Sequence, residues 1–119
     1  MKITTMFRDM APSPSLQAAA ERWVGRLEQV YDRIVDCHIT IERPHRHHLN
    51  GSPFQVHIAI AVPGGNLAVS HQTSKDAYVA LGDAFRAARR QLIDHIAQHR
   101  DFVAAPAGGR YGGFVATKA

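Results

Sequence analysis

From Phe54 to Val62 the sequence alternates without a break, with Phe54, Val56, Ile58, Ile60 and Val62 set against Gln55, His57, Ala59 and Ala61. Side chains two residues apart share one face of a strand, so this run is a strand with one apolar face that must be covered. Val35 to Glu42 repeats the pattern, with Cys37, Ile39 and Ile41 on one side and His38, Thr40 and Glu42 on the other. Pro63-Gly64-Gly65-Asn66 has turn composition, and Leu67 to His71 is a short strand returning in a hairpin. Lys2 to Arg8 is a fourth candidate strand, ended by the breaker Ala11-Pro12-Ser13-Pro14-Ser15.

Two amphipathic helices can supply the cover. Ser13 before Pro14 is a helix start, because serine accepts an orphan amide and proline at the first helical position has none to satisfy. Leu16, Ala20, Trp23, Val24, Leu27, Val30, Tyr31 and Ile34 then recur at helical spacing, predicting a first helix that ends near Tyr31 to Arg33. Thr73-Ser74-Lys75-Asp76 opens a second, with Ala77, Tyr78, Leu81, Phe85, Ala88, Leu92 and Ile96 on its apolar side, running to about Arg100. Both helices need the same apolar sheet face. The expected fold is therefore α+β: a two-layer β-α-β-β-β-α sandwich, its four-stranded sheet carrying two helices packed on one face.

A chain of 119 residues supports one modest core. Residues 1–101 are read as one domain, and 102–119, rich in Ala and Gly without a period, as a flexible tail. No apolar run approaches the roughly 18 residues of a membrane helix, and the start lacks the apolar segment of a secretory signal, so a cytoplasmic protein with no membrane partner is expected. Cys37 is the single cysteine, which excludes an internal disulfide or a cysteine cage for zinc. Its alternation with Ile39 and Ile41 marks a buried structural thiol.

Net charge is +4 and the pI about 9.7, a mild bias toward polyanions. Its placement says more. Projected at 100° per residue, Arg22, Arg26 and Arg33 fall on one flank of the first helix and Glu21, Glu28 and Asp32 on the other. In the second helix Arg86, Arg89, Arg90 and Arg100 share one arc beside the apolar stripe. Facing flanks would make a positive groove for a phosphate backbone, where the planar guanidinium binds two oxygens. Ordinary solvation of two helix surfaces is the competing reading.

The stretch Ile41-Glu42-Arg43-Pro44-His45-Arg46-His47-His48 puts three histidines into a connection bounded by Pro44 and Gly51. Histidines two apart on a loop are a weak metal signal, since zinc needs a rigid ligand set. No nucleophile elbow accompanies a Ser-His-Asp arrangement. Two readings of the loop remain open: a basic hairpin connection in which Arg43, His45, Arg46, His47 and His48 are accessory RNA contacts, or a solvated surface loop. No metal, cofactor, small-molecule substrate or catalytic residue is expected.

Leu27-Glu-Gln-Val-Tyr-Asp-Arg-Ile34 followed by a strand, and Asp76-Ala-Tyr-Val-Ala-Leu81 continuing to Arg90-Gln-Leu-Ile-Asp-His95, resemble the ribosome hibernation-promoting factor family, also called ribosome-associated inhibitor A or sigma-54 modulation proteins. The resemblance covers roughly residues 1–100 in the same element order and is to the short form. It implies a β-α-β-β-β-α fold and a non-enzymatic translation inhibitor of stressed or stationary-phase cells. Such a factor binds ribosomal RNA of the small ribosomal subunit where messenger and transfer RNA would lie. The family's basic helix residues match here at Arg26, Arg33 and Arg90, with Arg86 and Arg89 as local additions. Ala87 and Asp94 stand where relatives often have lysine, which implies a weaker RNA affinity. Long members add a C-terminal domain that pairs ribosomes, and 102–119 is too short for one. A modulator of transcription that binds protein rather than ribosomes, as the sigma-54 name implies, is the alternative.

Overall fold

The computed structural model describes residues 1–44 and 53–103. Its elements are β1 (Lys2–Arg8), α1 (Pro14–Val30), β2 (Asp36–Glu42), β3 (Phe54–Val62), β4 (Gly65–Ser74) and α2 (Ala77–Val103). The chain divides into two compact units, Met1–Arg89 and Arg90–Ala119. The first holds the whole sheet, α1 and the opening turns of α2. Of the second, the remainder of α2 is described, where Leu92 and His95 are buried and His99 Nδ1 lies 3.0 Å from the His95 carbonyl.

The sheet is mixed, in the order β1-β2-β3-β4. β1 runs parallel to β2, with Ile3 beside Cys37 and Phe7 beside Ile41, so the connection between them must cross over, and α1 is that crossover. The two remaining pairs are antiparallel. Val62 pairs with Gly65 around a two-residue turn in which Gly64 has φ 87°, the positive value that proline followed by glycine is suited to. The β3–β4 register shifts between Val56 and Ile58, leaving Ser70 and His71 opposite His57 as a bulge.

The alternation becomes two unlike sheet faces. Cys37, Ile39, Ile41, Val56, Ile58, Ile60, Val62 and Val69 are buried. Their cover within the first unit is Leu16, Ala19, Ala20, Val24 and Leu27 of α1, with Ala77, Ala80, Leu81, Ala84, Phe85 and Ala88 of α2. Burying each large aliphatic side chain contributes roughly 1.5–3 kcal/mol before entropy. This is the expected α+β two-layer fold. Burial pushes the Cys37 thiol up to about 12, with the Asp36 carboxylate adding to it, so the sulfur stays protonated and unreactive.

Several boundaries differ from the sequence reading for physical reasons. Ser13 caps α1 as expected, its Oγ accepting from the Leu16 amide at 3.2 Å. At the other end Tyr31 is already extended, with φ −154° and ψ 113°, so α1 closes at Val30. β4 runs on through Thr73 and Ser74, and the cap of α2 is Asp76, whose Oδ1 accepts from the Tyr78 amide at 2.8 Å. α2 continues to Val103, so Phe102 and Val103 of the expected tail are helical, while 104–119 lie outside the described residues.

Candidate nucleic-acid interface

Arg22 and Arg26 are exposed one turn apart on α1, and Arg86 and Arg89 are exposed three apart on α2. The two helices bring one arginine each to a common point. The Arg26 guanidinium carbon lies 4.6 Å from the Trp23 ring centroid, and that of Arg86 lies 5.6 Å from the same centroid. Facing basic flanks were expected from the helical projection. Arg26, Trp23 and Arg86 are where the flanks meet.

Trp23 was read as a core residue from its spacing, but it is half-buried. Its ring stacks on Phe85 with centroids 5.8 Å apart and planes 8° from parallel, which fixes its orientation. Two guanidinium groups lie within about 6 Å of its centroid. The only sequence signal for this arrangement was its position three residues before Arg26, which places both on one side of α1.

Arg86 Nη1 also donates to Asp83 Oδ1 at 3.1 Å, with both side chains about half exposed, a pair worth about 0–1 kcal/mol. Among the described residues, Arg22, Arg26 and Arg89 make no ion pair. Their charge remains available to an anion.

The other expected residues stand apart from this point. Arg33 is exposed in the turn after α1 and is not a helix residue. Arg90, exposed, and Arg100 belong to the second unit, on the continuation of α2. Arg43, expected at the base of a projecting loop, is half-buried with its guanidinium carbon 5.0 Å from the Phe54 ring centroid. His45, Arg46, His47 and His48 lie outside the described residues. Tyr78, assigned to the apolar stripe of α2, is 49% exposed, and its hydroxyl donates to Ser15 Oγ at 2.7 Å.

On the open sheet face His57 Nε2 lies 2.9 Å from Glu42 Oε1, and His38 Nε2 lies 3.3 Å from Asp36 Oδ2. An open cleft of about 570 Å³ lies where Ser13 and Asp76 cap the two helices, lined by Met10, Leu16, Phe54, Lys75 and Tyr78 among others. Its one carboxylate, Asp76, is occupied in capping. Among the described residues no cluster of three His, Cys, Asp or Glu side chains is placed to hold a metal ion, and no helix is long and apolar enough to cross a membrane.

Comparison with known proteins places the fold. The model of the sigma 54 modulation protein / S30EA ribosomal protein family matches residues 3–100. The chain belongs to this family. Among solved structures it is similar to a ribosomal subunit interface protein from Coxiella burnetii, at TM-score 0.70 and 22% identity, over 82% of this chain and 99% of that one. It is also similar to the N-terminal domain of Protein Y from Thermus thermophilus, at TM-score 0.66 and 20% identity, over 80% of this chain and 99% of that one. At such identities the likeness establishes the fold. A search of curated proteins finds no match. The family reading made from the two helix motifs is thus supported by a match across nearly all of the described residues.

Proposed function

We propose that this protein is a non-enzymatic, ribosome-associated translation inhibitor of the hibernation type. It binds ribosomal RNA of the small subunit, in the channel that messenger and transfer RNA would occupy, through the basic surface of its two helices. The observation that carries this reading is the convergence of Arg26 and Arg86 on Trp23, with exposed Arg22 and Arg89 beside them on the same helices. Family membership adds support, as do the names of its structural relatives, one a ribosomal subunit interface protein.

Guanidinium groups suit this task because each offers a planar fork of donors to a phosphate and keeps its charge at any physiological pH. Binding by such a surface releases counterions from the RNA, so affinity must fall as salt rises. Arg33, Arg43, Arg90 and Arg100 are further candidate contacts, and His45, Arg46, His47 and His48 are accessory ones. The working compartment is the cytoplasm, in stressed or stationary cells.

Sedimentation of the protein with purified small ribosomal subunits over a range of salt concentrations tests the reading. The expected result is cosedimentation at low salt that weakens steeply as salt is raised. Protein left in the supernatant at low salt, together with binding to a component of the transcription machinery, would favour the sigma-54 modulation role that the family description also carries.

A further inference from the structure

Two arginines held against one ring need an explanation. Arg26 and Arg86 come from different helices, yet their guanidinium carbons lie 4.6 and 5.6 Å from the Trp23 centroid, and so no farther apart than those two distances laid end to end. Like charges within that bound repel, weakly where solvent and salt screen them, and the negative face of the indole offsets part of the repulsion. Asp83 answers Arg86 alone, at 3.1 Å and in solvent. Among the described residues Arg26 has the ring as its one partner, which leaves its donors free there.

The surroundings hold the ring in place for this purpose. Phe85 stacks on it at 5.8 Å and 8°. Gly82, on the same helix as Phe85 and Arg86, is buried, and a Cβ there would stand 3.2 Å from Arg86 Nη1 and 3.5 Å from Trp23 Cζ2. The absent side chain makes room for the guanidinium beside the indole. A free arginine samples many rotamers and loses that freedom on binding, whereas one already laid on an aromatic plane loses less.

We propose that Trp23 is a positioning residue of the RNA-binding surface, preorganising Arg26 and Arg86 as a paired guanidinium site for neighbouring phosphate groups of a ribosomal RNA strand. The inference rests on the functional reading above and gives it a mechanism. Trp23 acts through the arginines. With Phe85 against it and guanidinium groups over it, the ring is engaged already and is not the platform for an unstacked base. The ligand is therefore the phosphodiester backbone, recognised without regard to sequence.

Substitutions in the full chain separate positioning from packing. Trp23→Phe keeps an aromatic ring over Phe85, and Trp23→Leu keeps apolar bulk without a π face. Small-subunit affinity, measured by sedimentation on variants whose circular dichroism stays native, should change at most about threefold for Trp23→Phe and fall about tenfold for Trp23→Leu. Arg26→Gln with Arg86→Gln should weaken binding and make its salt dependence shallower by roughly two phosphate contacts. Adding Trp23→Leu to that pair should cost nothing further, because there is no guanidinium left to place. Wild-type affinity in Trp23→Leu, or an undiminished tenfold loss in the arginine-free background, would overturn the proposal.

Trp23 is also the single tryptophan, so its fluorescence reports on the site in the unmodified protein. Titration with a short RNA duplex should change the emission of the wild type and leave that of the Arg26→Gln, Arg86→Gln variant flat. This second measurement keeps the two claims apart. A wild type that fails to sediment with small subunits defeats the functional reading, and a flat wild-type fluorescence response defeats the paired site.

Discussion

The two faces of the sheet are made by alternate residues of the same strands, yet they handle polarity in opposite ways. On the covered face Cys37, Ile39, Ile41, Val56, Ile58 and Ile60 exclude water and even the thiol is held neutral. On the open face polar groups meet water or one another, His38 beside Asp36, His57 beside Glu42, and Lys2 and Arg8 of β1 exposed. Those two cations stand in register with the carboxylates of Asp36 and Glu42, so the charge of the open face is mixed. On the helices Arg22, Arg26 and Arg89 have no ion-pair partner among the described residues. The sheet holds the helices, and the helices carry the arginines that meet at Trp23.

Truncation should separate the two sides most sharply. Phe85 is fully buried and stacked on Trp23, so Phe85→Ala is expected to cost about 3–5 kcal/mol in denaturant unfolding. Thr40, half-buried on the open face, should lose no more than about 0.5 kcal/mol on replacement by alanine. Similar losses at the two positions would mean that the open face is also packed.

Adjacent residues of β2 give a chemical version of the same contrast. Cys37 should resist alkylation in the native protein at neutral pH, while His38 next to it, half exposed, should react readily with an imidazole-directed reagent. The thiol also sets a sign. In the unfolded chain it ionises near its ordinary value of 9.0, whereas in the fold it does so at about 12, so above pH 9 the unfolded state binds fewer protons. This contribution to stability is complete below pH 9 and is lost as pH rises toward 12. Cys37→Ala should show a shallower alkaline loss than the wild type in paired unfolding curves.

A smaller effect is expected at the start of α2. Asp76 caps the helix through the Tyr78 and Val79 amides, and Asp76→Ala should cost about 1 kcal/mol by thermal unfolding. Ser74→Ala should cost less, since its hydroxyl accepts only the Asp76 amide in the exposed turn.

Much of this was legible in the sequence because alternation and helical spacing are read directly by burial. Ile58 and Ile60, or Leu81 and Phe85, could hardly sit elsewhere. The end of α1 was less so: Val30, Tyr31 and Ile34 continue the apolar period, but Tyr31 leaves helical geometry and takes Arg33 off the helix. Spacing also misplaced Tyr78, since a hydrogen bond to Ser15 across the chain is invisible to a local pattern. Trp23 shows the limit for the candidate site. Its position fits a core stripe, and only the tertiary approach of α2, with Gly82 at the contact, brings Arg86 to the ring that Arg26 also approaches. The histidine-rich connection, prominent in the sequence, lies outside the described residues.

The central claim is that the helix arginines, and not the open sheet face, meet the RNA. It is tested most directly by sedimenting two variants with small ribosomal subunits side by side. One reverses charge at Arg86, Arg89 and Arg90, and the other places glutamates at Met6 and Ala59, both exposed on the open face. With native circular dichroism for both, the arginine reversal should abolish cosedimentation and the open-face variant should remain within a few-fold of wild type. Wild-type binding by the arginine reversal, or its loss in the open-face variant alone, would contradict the account.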